Sequence, residues 1–261
     1  MNSTMPSNPI FKFKTEKLSR LDIPKQLNNP FATSIPKIAQ IAAQEFQDYI
    51  KHASQHWEYN FKLQKGKMFG VMVVQQNDGS LAYLGTISGT LLAKDPNHKL
   101  VASIFNESES NAILSNGLNK LARINKEINS TQDQKKIQRL KEKRKQHSKE
   151  LQKTLFTKTK IINQQGEYKN VLEIFSDFEA SYPPAAAGEC AAPKLLQYAF
   201  QQKLKPIALA EFWWGNTTIS KKREHLHFYP ACTEKCKPIL EYMLENQNLF
   251  NTANPTEAGN Q

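Results

Sequence analysis

Cys190, Cys232 and Cys236 are the three cysteines of the chain, and their placement suits a metal site or a reactive thiol. Cys190 directly precedes residues 191–200, where Leu195, Leu196, Ala199 and Phe200 recur at the spacing of a half-buried helix. Cys232 and Cys236 lie four residues apart, in what reads as the first turn of a helix that continues through Ile239, Leu240, Tyr242, Met243 and Leu244. That spacing puts both thiols on one helix face. A helix N-terminus favours thiolate over thiol, and thiolate is the form that binds metal. Zinc is the expected ion, with His227 or His225 as fourth ligand, because structural zinc sites are closed by four protein groups. The plainer alternative is three small, unliganded cysteines in a core.

The elements that must position these thiols follow from the pattern around them. Residues 206–214 form a nine-residue apolar run closed by Gly215, about the length of a buried strand. At its end Trp213 and Trp214 either stack on bases or pack the strand end. Upstream, Ser34 can cap a helix that has Pro36 in its first turn and an apolar stripe of Ile38, Ile41, Ala42, Phe46, Tyr49 and Ile50. Residues 68–74 and 81–88 read as strands around the turn Asn77-Asp78-Gly79. Val171, Leu172, Ile174, Phe175 and Phe178 begin a short helix ahead of Pro183-Pro184. The expected organisation is an extended arm over 1–30 and a discontinuous α/β core over 31–106 and 161–246. A helical hairpin is inserted at 107–160, and a disordered tail covers 247–261.

The formal charge of +11 is concentrated in that insertion: residues 117–160 hold fourteen Lys or Arg and four acidic residues, a difference of +10. Clustered cations displace several condensed counterions together, so the segment points to a polyanionic partner. The candidate RNA contacts are Lys135, Lys136, Arg139, Lys143, Arg144, Lys145 and Lys149. The competing readings are a coiled-coil face whose charge merely keeps it solvated and a coiled-coil module that binds another protein. The sequence has no run of about 20 apolar residues and no signal-peptide pattern, which predicts a cytoplasmic chain that does not engage a membrane. A small odd number of cysteines there argues against a disulfide framework. Glycine-rich phosphate loops, Gly-x-Ser-x-Gly and His-Glu-x-x-His are all absent.

Two resemblances bear on function. At GKMFGVMVV, GECAAPKLLQYAF, KPIALAEFWWG and FYPACTEKCKPIL the sequence resembles the region preceding the catalytic domain of long bacterial RluA-type pseudouridine synthases, over roughly residues 23–244. This likeness implies an RNA-modification context, with an rRNA or tRNA as partner and a separate synthase chain supplying catalysis. The His-Arg-Leu-Asp motif of those enzymes is not in place. Arg20-Leu21-Asp22 matches its centre only, with Ser19 in place of the histidine, and no catalytic residue is assigned. The order of elements also resembles the zinc deaminase fold: helix, two strands, a helix opening on His- or Cys-x-Glu, a strand, and a helix opening on Pro-Cys-x-x-Cys. It implies a three-layer, cytidine-deaminase-like α/β core and zinc held by Cys190, Cys232 and Cys236. Two departures weaken deaminase chemistry. Ala192 stands where the glutamate belongs, with Glu189 or Glu211 as conceivable substitutes, and the cysteine pair is spaced by three residues.

Overall fold

The computed structural model describes residues 8–57, 59–61, 64–89, 99–106, 108–178, 182–217 and 223–245. Its centre is a five-stranded sheet in the order β1 (Ile10–Lys12), β3 (Leu81–Ile87), β2 (Lys67–Gln75), β6 (Lys205–Trp214), β7 (Phe228–Tyr229), with every neighbouring pair antiparallel. The hairpin of β2 (Lys67–Gln75) and β3 (Leu81–Ile87) forms where alternation and turn residues predict it. Gln76 and Ser80 close the turn through their backbones, and the Asp78 carboxylate accepts from both the N–H and the hydroxyl of Ser80. The apolar run becomes β6 (Lys205–Trp214), paired to β2 along its whole length with one irregularity at Val73/Val74. β7 is only Phe228–Tyr229.

Helices cover both faces of the sheet. α1 (Lys37–Ala53) buries Ile38, Ala42, Phe46 and Ile50, the stripe its sequence predicts, against one face. Its cap is not Ser34, because Pro36 is the N-cap residue and no side chain caps the helix. Gly85 on β3 lets this layer close, since a Cβ there would lie 2.3 Å from the Phe46 ring. The opposite face carries α4 (Val171–Asp177), α5 (Ala191–Gln201) and α6 (Thr233–Met243), packed with Leu84, Leu195, Ile239 and Leu240 in a second apolar cluster. A small sheet of β4 (Lys160–Ile162) and β5 (Tyr168–Asn170) leads into α4, which opens on a capping box between Asn170 and Glu173.

The N-terminal stretch is more than an arm. Ile10, Phe11 and Phe13, the apolar residues within it, are drawn onto the sheet: β1 (Ile10–Lys12) pairs with β3, and the Phe11 ring stacks on Tyr83 at 5.1 Å. Farther on, the Asn28 side chain donates to the Leu209 carbonyl and accepts from the Leu209 N–H, pairing with β6 where β7 does not reach.

Between a short 3-10 helix at Ile104–Asn106 and β4 stand two long helices, α2 (Ser108–Ser130) and α3 (Gln134–Lys158). Asp133 caps α3 by accepting from the N–H groups of Lys135 and Lys136. The helices pack on each other, with Arg144 donating to Asn125 at 3.1 Å and the His147 ring 3.3 Å from the Gly117 carbonyl. No helix among the described residues is long and apolar enough to cross a membrane. The tail at 247–261 lies outside the described residues.

Candidate functional site

Two helix starts meet beside β6. Cys190 is the N-cap of α5 and Cys232 the N-cap of α6, both extended, while Cys236 sits one turn into α6 and is buried. The three thiols interact with one another. Hydrogen bonds from Cys190 and then Cys236, with the N–H groups of Lys235 and Glu234, hold the Cys232 thiol far below the ordinary range. Cys190 is pushed up to about 12, first by its hydrogen bond with Cys232. Cys236 is raised well above the ordinary value by Cys190, Cys232 and its burial.

Glu211 adjoins this trio from β6. Strand alternation turns it away from Phe212 and towards α5, where its Oε1 accepts the Ala192 N–H at 2.9 Å. Burial pushes its carboxyl up to about 7, against the pull of that N–H and of Arg223. Gly70 on β2 permits the close fit, since a Cβ there would lie 2.7 Å from that of Ala191 and 3.6 Å from Glu211 Cγ. The Arg223 guanidinium lies 4.4 Å over the Tyr229 ring, and its buried Nη1 has no hydrogen-bond partner among the described residues. One turn along α5, buried Lys194 donates to the carbonyls of Ile87 and Gly89 and stands 3.7 Å from Glu189 Oε2. Glu189 Oε1 is taken up by the Phe105 N–H, so this carboxylate serves the core.

The histidines stand elsewhere. Backbone bonds between Trp213 and residues 226–227 hold His227 opposite Trp213, and its side chain is 64% exposed with Nε2 3.4 Å from Glu224. His225 accepts the Gly215 N–H through Nδ1 and packs edge-on to Trp214. Neither completes the thiol site. Among the described residues no group of three or more His, Cys, Asp or Glu side chains is arranged to hold a metal ion. The donors nearest to a zinc set are the three thiols, with Glu211 beside them.

The basic candidates are placed on α3, whose 25 residues span about 37 Å. Lys135, Lys136, Arg139, Lys143, Arg144, Lys145 and Lys149 are all exposed, and none is in an ion pair among the described residues. Lys135, Arg139 and Lys143 recur every four residues. Leu140, His147 and Leu151 lie about 100° round the helix, on the side that faces α2. Comparison with protein-family models, curated proteins and solved structures finds no match.

The two tryptophans separate. Trp213 is buried and its Nε1 donates to the Asn216 carbonyl, so it packs the strand end. Trp214 is half-buried and lines a cavity of about 880 Å³. Of the two carboxylates the sequence offered at the thiols, Glu189 and Glu211, only Glu211 adjoins them, a choice the sequence did not make. The signal was a single acid inside an apolar strand, where a carboxylate persists only with a buried partner.

Proposed function

We propose that the protein is an RNA-associated α/β domain that holds structured RNA along α3 for a modifying enzyme carried on another chain. The observation that carries this reading is α3 itself, which holds ten Lys or Arg and two Glu, a difference of +8, with its candidate cations exposed and in no ion pair among the described residues. Such a rod engages phosphates by counterion release and reads shape more than sequence. Support for a deaminase-like core comes from the element order α1, β2, β3, α5, β6 and α6, with cysteines at the starts of α5 and α6. The test compares wild type with a Lys135→Glu, Arg139→Glu, Lys143→Glu variant in binding a structured RNA from 50 to 300 mM salt. The variant loses affinity and its salt slope falls by about one per phosphate contact removed. Unchanged slopes overturn the reading, and assembly that survives high salt assigns α3 to a protein partner instead.

A second reading of the core rests on the convergence of Cys190, Cys232 and Cys236. These thiols are the residues that would hold zinc, and a bound ion would lock α5 to α6 with all three deprotonated. Zinc in the purified protein at one equivalent, lost on Cys232→Ser, supports it. Metal-free native protein rejects it.

A further inference from the structure

We propose that the cavity at the carboxyl end of β6 is a stacking site for one unpaired RNA base. The inference rests on the RNA reading but on a different part of the molecule, the α1 side of the sheet. The cavity, about 880 Å³, is of nucleotide size. Its walls are aromatic: Trp57, Tyr59, Phe61, Trp214 and His225, with Lys51 at the rim. These rings are set before any ligand arrives. Trp57 stacks on Phe69 at 6.3 Å and meets Phe61 edge-on at 6.0 Å. The Tyr59 hydroxyl is tied to the Lys65 carbonyl, with the Lys67 ammonium 5.3 Å over its ring, and the His225 ring lies 4.7 Å from that of Trp214.

The polar groups favour a nucleotide over an apolar ligand. His225 accepts through Nδ1, which leaves Nε2–H as the donor of the neutral ring. No acidic residue lines the cavity among the described residues, so a phosphate near Lys51 meets no repulsion there. A base offers a π-face to the rings and carbonyl acceptors at its edge, which is the chemistry these groups match.

The test titrates a ten-nucleotide oligouridine and an RNA duplex into wild type, Trp214→Ala, His225→Ala and the α3 charge variant at one salt concentration. Trp214→Ala weakens the single strand about tenfold and leaves the duplex unchanged. His225, exposed and outside the core, gives a variant that folds normally and loses a smaller, few-fold share of single-strand affinity. The α3 variant weakens both RNAs. If both aromatic variants melt like wild type and bind oligouridine equally well, the stacking site is overturned while the RNA reading stands. If wild type binds neither RNA, both fall.

Discussion

Replacing Glu211 by glutamine tests the electrostatics of the thiol site directly. The carboxyl is fully enclosed and its pKa rises from the ordinary 4.5 to about 7, mainly because burial disfavours the charge. Between those values the folded state binds a proton that the unfolded state has released. Wild-type stability from this group is therefore complete below pH 4.5 and declines as pH rises through about 7. A shift of that size, at roughly 1.4 kcal/mol per pH unit, makes the ionised carboxylate cost about 3 kcal/mol above pH 8. Glutamine keeps an oxygen for the Ala192 N–H and removes the titration. Urea unfolding of both proteins from pH 4.5 to 8.5, with EDTA present, should show near-equal stability at the acid end. At the alkaline end Glu211→Gln should be more stable by up to about 3 kcal/mol. A difference that stays constant with pH would refute the assignment, because titrating groups away from the thiol site cancel between the two proteins, and the thiols coupled to Glu211 only add to the pH dependence.

Three further outcomes follow from local structure. In metal-free protein, iodoacetamide should modify Cys232 at lower pH than Cys190 and leave buried Cys236 untouched, as peptide mapping would show. Asn28→Ala should cost about 1–3 kcal/mol in chemical denaturation, since it strands the N–H and C=O of Leu209 that its amide now satisfies. Gly85→Ala should destabilise by about 1–3 kcal/mol in the same assay, because the added methyl meets the Phe46 ring in a closed layer with no room to shift.

The elements legible in the sequence were those set by local chemistry. Asn77-Asp78-Gly79 marked a turn, the run from Pro206 marked β6, and the apolar periodicity after Cys190 and Cys232 marked two helix starts. What depended on packing between distant segments was not legible. Glu211 reaches Ala192 only because β6 lies beneath α5, and nothing near either residue announces that contact. His227 was misplaced as a ligand for a similar reason. The short pairing of β7 with β6 turns its ring to solvent beside Glu224, and two residues of strand leave almost no periodic signal. The edge strand β1 was hidden likewise, since three residues of alternation look like any apolar fleck in a polar stretch.

The long helical pair leaves the core after Phe105 and rejoins it at Phe156, and those two rings lie 6.4 Å apart in the same apolar cluster. The pair is thus a side branch attached at its base, where α3 also packs on α4 and β5, and its length is uncoupled from the body that bears it. Adding seven residues to each arm would extend its reach by roughly 10 Å. Loop-closure entropy changes by only about 0.6 kcal/mol for each doubling of a connecting segment. The cationic rod can therefore lengthen while the sheet and its two covering layers stay as they are.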